Sequence, residues 1–167
     1  NNYMLKIAHR GASGYEPENT ISAFKKAIEL QADMIELDAR LCETGELVVM
    51  HDKDLKRTTN GNGLVSFKSI DELKLLTVGE NEKIPTLKQS LNYINQQCQV
   101  NIELVSKDSG RAVANLLKSN KWDLDNILIS SFRINELKSF NSFLPEVNLG
   151  YLAMEVTSKQ AKELNKL

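Results

Sequence analysis

Apolar and polar positions along this chain fall into two rhythms. Residues 34–41 alternate strictly, placing Met34, Glu36, Asp38 and Arg40 on one face and Ile35, Leu37, Ala39 and Leu41 on the other, the period of a β-strand. Shorter apolar runs at 5–8, 47–50, 100–105, 127–131 and 148–152 predict five further strands. Between them the spacing turns helical. Ile21, Phe24, Ala27 and Ile28 predict a helix with Asn19 or Thr20 as its N-cap. Pro85 suits the entry to another through Leu87, Leu91 and Ile94. Residues 69–76, 112–119 and 135–140 predict three more, and Thr157-Ser158 opens a last one that runs to 167. Gly45 marks a turn, and "TTNGNG" at 58–63 is a loop.

Strands that alternate with helices argue for parallel βαβ units in an α/β fold. Two architectures compete, a doubly wound open sheet and a (β/α) barrel. Six strands in 167 residues favour the open sheet on length, because a closed barrel takes eight strands and typically about 250 residues. The chain is the size of one domain, 1–167, and the stretch at 53–84 is less regular than the rest.

Composition removes several function classes. Lys+Arg at 21 against Asp+Glu at 22 leaves a net charge of −1, which argues against nucleic acid as a partner. Cys42 and Cys98 are too few for a disulfide scaffold and are expected as free thiols. No apolar run is long enough for a membrane-spanning helix. A signal-peptide pattern is also missing, so a cytoplasmic location is expected. The first residue is Asn rather than Met, as in a processed or trimmed chain.

The candidate chemistry reverses the preference for an open sheet. In parallel α/β proteins the reactive residues lie at the carboxyl ends of the strands. Glu36 and Asp38 share a strand face about 6–7 Å apart. Two unpaired anions on an interior face are costly unless a cation answers them. The same parity groups Ile7 with His9, Val49 with His51, and Asn101 with Glu103 and Val105. If these faces all point inward, Glu36, Asp38 and Glu103 converge with His9 and His51 at one barrel mouth. Three carboxylate ligands suit Mg²⁺ or Ca²⁺ rather than zinc. The two imidazoles suit general acid and base, and Arg10 offers a planar donor fork for a phosphate. Singly, each has a plainer reading: a hydrogen-bonded strand-end histidine, a solvent-facing Glu-x-Asp pair, an arginine bridging to a surface acid.

The ordered motifs "HRG" (9–11), "ENT" (18–20), "ELD" (36–38), "HD" (51–52), "RTTNGNG" (57–63), "IPTL" (84–87), "NIEL" (101–104) and "SSF" (130–132) resemble the glycerophosphodiester phosphodiesterases. The resemblance runs from about residue 7 to 152. It implies a TIM (β/α)8-barrel type of fold, here truncated after about six strands, with an insertion after the third strand. A fragment, a shortened homologue or a swapped closure would each account for that truncation. It also implies divalent-metal-dependent hydrolysis of glycerophosphodiesters to sn-glycerol 3-phosphate and an alcohol. In that scheme Glu36, Asp38 and Glu103 hold the metal and His9 and His51 are the acid/base pair. Arg10 holds the phosphate, and Glu18 lines the site or orients Arg10. The resemblance implies a lysine at position 105, where this chain has Val105; Lys107 shares its parity. Two other readings follow: a homologue that binds a phosphodiester or partner without turnover, and a sphingomyelinase D-like lyase on the same barrel.

Overall fold

The computed structural model describes residues 4–119, 122–164 and 166. Its strands are β1 (Ile7–His9), β2 (Met34–Leu41), β3 (Leu47–Val49), β4 (Gln99–Leu104), β5 (Ile127–Ser131) and β6 (Asn148–Tyr151). Its helices are α1 (Ile21–Glu29), α2 (Ile70–Leu75), α3 (Leu87–Ile94), α4 (Ser109–Lys118), α5 (Ile134–Phe143) and α6 (Ser158–Leu164). The end of the last predicted helix lies outside the described residues. The six strands form one sheet in the order β1-β2-β4-β5-β6, with β3 paired to β2 off that path.

All pairs along the main path are parallel. The exception is β3, which runs antiparallel to β2 with Ala39 opposite Val49. The sequence pattern placed this strand among the parallel ones. The connection decides otherwise: a parallel return needs a crossover of a dozen or more residues, whereas residues 42–46 are enough only for a hairpin. Gly45, at φ +90°, supplies the left-handed position that this turn needs. The first strand is also shifted by a residue or two from 5–8 and includes His9, whose register partner is Glu36.

The apolar face of β2 packs as its alternation demands. Ile35, Leu37 and Ala39 are fully buried, in one cluster with Phe24, Leu91, Ile102, Val113, Ile129 and Phe140. Each large side chain in this layer contributes about 1.5–3 kcal/mol. The opposite, inner face carries the polar side chains, and there Asn101, Glu103 and Leu128 are only half-buried. A second small cluster of Cys42, Val48, Met50, Leu55, Val65, Leu73, Val78 and Ile84 holds the 53–84 segment against the β2–β3 ribbon. Both cysteines are free. Among the described residues, no helix is long and apolar enough to cross a membrane.

One contact fixes the loops above β4 and β5. Asp108, in the left-handed region, makes no side-chain cap for α4. Instead the buried Glu136 carboxylate on α5 accepts from Asp108 N (3.0 Å) and Gly110 N (2.9 Å). Gly110 has no room for a side chain, since a Cβ would lie 2.3 Å from Glu136 O.

Candidate active site

The sharp turn after β1 builds the first wall of the site. Arg10 and Gly11 both have positive φ (59° and 78°). A Cβ on Gly11 would come within 2.8 Å of the Ala23 backbone, so the chain closes onto α1 only with glycine there. "ENT" then divides its labour. Thr20 caps α1, accepting from Ala23 N, while Asn19 turns inward, its amide donating to Asp38 Oδ2 at 2.8 Å. Glu18 accepts from Arg10 Nη1 (3.0 Å) and from both terminal nitrogens of Arg57 (2.9 and 2.7 Å).

Glu36 and Asp38 on β2 meet Glu103 on β4, Asp38 and Glu103 being register partners. Each of the three offers an oxygen within 4.8 Å of the others. Glu36 is 6% exposed and Asp38 only 1%, yet Glu36 Oε1 and Asp38 Oδ1 have no hydrogen-bond partner. Their other oxygens are answered: Glu36 Oε2 accepts from Arg10 N (2.8 Å), and Asp38 Oδ2 lies 3.5 Å from Arg10 Nε. Orphaned oxygens on two buried carboxylates clustered with a third fit a hard divalent cation. Burial pushes the Glu36 carboxyl up to about 8, aided by the charge of Asp38 and opposed by the Arg10 backbone hydrogen bond. Burial, again with Asp38, raises Glu103 as well.

This strain has a measurable consequence. Glu36 holds its proton more tightly folded than unfolded, so its contribution to stability is complete below about pH 4.5 and is lost as pH rises through about 8. Chelator-treated protein is therefore expected to lose Tm progressively over that interval. A divalent cation that binds the ionised cluster is expected to flatten the slope. Parallel slopes with and without cation in a calorimetric pH series would contradict it.

The histidines flank the carboxylates. His9 Nε2 lies 3.8 Å from Glu36 Oε2. His51 arrives along the antiparallel ribbon rather than at the top of a parallel strand, because Met50 N donates to Asp38 O (3.0 Å). His51 Nδ1 lies 2.8 Å from Asp52 Oδ1. Arg57 bonds both Asp52 oxygens (2.6 and 3.0 Å) and holds that carboxyl well below its usual range. An ionised Asp52 only accepts, so the proton sits on His51 Nδ1, leaving Nε2 for chemistry.

All seven residues singled out from sequence, His9, Arg10, Glu18, Glu36, Asp38, His51 and Glu103, gather at the carboxyl ends of the parallel strands. Lys107 does not join them; it borders a different hollow with Glu136 and Gln160. Sequence reasoning passed over Asn19 and Arg57. Asn19 stood beside the cap residue that masked it, and Arg57 inside a Gly/Asn-rich loop. A hollow of about 240 Å³ at the opposite end of the sheet, lined by Cys98, Trp122 and Asn126, is remote from these groups.

A parallel sheet with helices on its outer face and its polar constellation at the strand carboxyl ends places the molecule among the TIM-barrel proteins. Comparison with known proteins is more specific. The glycerophosphoryl diester phosphodiesterase family model matches residues 9–167, and the chain belongs to that family. A putative glycerophosphodiester phosphodiesterase of Bacillus subtilis is 39% identical over 155 residues, covering 86% of this chain and 63% of its own length. A glycerophosphodiester phosphodiesterase of Caldanaerobacter subterraneus is 38% identical, covering 89% and 66% respectively. This chain thus spans about two thirds of those two relatives. An Oleispira antarctica phosphodiesterase, solved in complex with the product sn-glycerol-3-phosphate, superposes with a TM-score of 0.91 at 33% identity. The match covers 98% of this chain and 71% of that one.

Proposed function

We propose that this chain hydrolyses glycerophosphodiesters to sn-glycerol 3-phosphate and an alcohol, with a divalent cation, Mg²⁺ or Ca²⁺, held by Glu36, Asp38 and Glu103. The supporting observation is the buried pair of orphaned oxygens on Glu36 and Asp38 beside Glu103. Family membership and the product named for the Oleispira relative support the substrate. On this reading the chain is one domain, with 53–84 as an insertion that delivers Arg57 to the site.

Bound there, the cation supplies positive charge to phosphoryl oxygens and to the attacking hydroxyl. The chain supplies the proton transfers. One imidazole takes the proton of the substrate's own glycerol hydroxyl as its oxygen bonds to phosphorus. The other protonates the departing alkoxide as the second phosphorus–oxygen bond breaks, and water then opens the cyclic phosphate. Asp52 and Arg57 hold His51 in the tautomer that these steps need. Arg10, tied to Glu18, lies beside the carboxylates as a candidate phosphate donor.

The test is release of glycerol 3-phosphate from glycerophosphocholine by the purified 167-residue chain. Turnover is expected with Mg²⁺ or Ca²⁺ and is expected to vanish with chelator. Absence of turnover alongside calorimetric binding of the diester would instead support the reading of a binding protein, which Val105 favours.

A further inference from the structure

Arg10 and Arg40 both lie at the inner wall of the sheet, each with a buried Nε that lacks a hydrogen-bond partner, and of the two only Arg10 forms ion pairs. Arg10 is met by Glu18 at 3.0 Å and Asp38 at 3.5 Å. Arg40, next on the inner face of β2 after Glu36 and Asp38, is 7% exposed. Its Nη2 donates to the backbone carbonyl of His51 at 2.5 Å. Its Nε is buried without a hydrogen-bond partner, and among the described residues no carboxylate forms an ion pair with it. A buried guanidinium without a counter-ion is costly unless an anion joins it.

The space for that anion adjoins the carboxylate cluster. Arg40, His51, Glu103, Val105, Phe132 and Arg133 border an open cleft of about 480 Å³. Asp38 pairs with Glu103 in register, and Val105 N donates to Ala39 O at 3.3 Å. Continuing the pleat by one step sets Arg40 beside Val105 on the inner face, just above the carboxylates. A short apolar side chain at 105 therefore leaves the donor fork of Arg40 uncrowded.

We propose that Arg40, flanked by Arg133, is a second phosphoryl-binding group of this cleft beside Arg10, holding a phosphate oxygen of a glycerophosphodiester and of its phosphomonoester product from β2. With Nη2 engaged by the His51 carbonyl and Nε buried, the Nη1 end of the guanidinium is left to donate to a phosphate oxygen, a charge-assisted hydrogen bond. The substrate class rests on the phosphodiesterase reading, whereas phosphate binding itself can be measured without turnover.

The experiment titrates sn-glycerol 3-phosphate calorimetrically into the 167-residue protein at saturating Mg²⁺, and follows kcat/KM on glycerophosphocholine and glycerophosphoglycerol. Arg40→Gln is expected to weaken binding about 10–100-fold, the range for loss of a charged hydrogen-bonding partner. It is expected to lower kcat/KM by a similar factor on both diesters. Adding Val105→Lys to Arg40→Gln returns a cation from the adjacent strand and is expected to restore most of the binding. A role confined to supporting the His51 carbonyl would not be rescued in that way. Should Arg40→Gln fail to fold, Arg40→Met, an apolar fit to the same buried path, carries the same expectation of loss.

Unchanged affinity in the folded variant overturns the proposal, as does a loss confined to one diester or an absence of rescue by Val105→Lys. Wild-type protein that binds glycerol 3-phosphate through Arg40 but turns nothing over leaves this proposal standing and removes the phosphodiesterase reading. Turnover by the wild type with no Arg40 effect does the reverse.

Discussion

His51→Ala is expected to lower kcat for glycerophosphodiester hydrolysis by about 10²–10⁴-fold, the usual yield of a positioned acid or base. Divalent-cation affinity and Tm should stay close to wild type. The imidazole is roughly half exposed, and its hydrogen-bond partner is Asp52 at 2.8 Å rather than Glu36, Asp38 or Glu103. Truncating it therefore removes a proton carrier while leaving the carboxylate cluster and the packed outer layer intact. Asp52→Asn provides a graded companion. The amide can present its NH₂ to Nδ1, favouring the opposite tautomer, and Arg57 loses one of its two carboxylate partners. A smaller fall in kcat with an altered pH profile is the expected result. If His51→Ala keeps more than about a tenth of the wild-type rate, His51 is no acid or base in this reaction.

The position of His51 shows which parts of the site were legible in the sequence. Its arrival at the carboxylates was expected, but by parity on a parallel strand. The structure brings it there by an antiparallel ribbon, because residues 42–46 are too few for any other connection. Period-two alternation reports which side chains share a face and carries no information on strand direction. The carboxylates were better marked. An Ile-Leu-Ala face can only be a packing face, so Glu36 and Asp38 had to share the other side, and Glu103 followed from the same parity. Asn19 and Arg57 were not marked, since each depends on a tertiary partner: Asp38 for Asn19, and Glu18 and Asp52 for Arg57. Their local sequence looks like a helix cap and a surface loop. Lys107 shows the converse, a residue with the right parity that the turn into α4 carries away from the cleft.

Asp38→Asn should separate stability from function in opposite directions. Asp38 is 1% exposed. It takes the Asn19 amide on Oδ2 at 2.8 Å and keeps Oδ1 without a hydrogen-bond partner, in a cluster with Glu36 and Glu103. The substitution is nearly isosteric but removes a charged ligand from a three-carboxylate cluster. Mg²⁺ affinity is expected to fall at least about tenfold, and metal-dependent turnover about 10³-fold or more, because the charge that answers the phosphoryl group is lost with the ligand. In chelator the sign reverses. After burial, the charge of Asp38 is the main influence raising the Glu36 carboxyl toward 8, and it raises Glu103 too. Without it Glu36 ionises at lower pH, so less stability is lost between about pH 4.5 and 8. The metal-free variant should therefore melt above metal-free wild type at pH 8, the two should converge near pH 4.5, and saturating Mg²⁺ should reverse their order at pH 8. Calorimetry in both buffers checks all three points. A variant with wild-type Mg²⁺ affinity would remove Asp38 from the ligand set, and one less stable at pH 8 in chelator would show that its bond to Asn19 outweighs the repulsion it brings to Glu36.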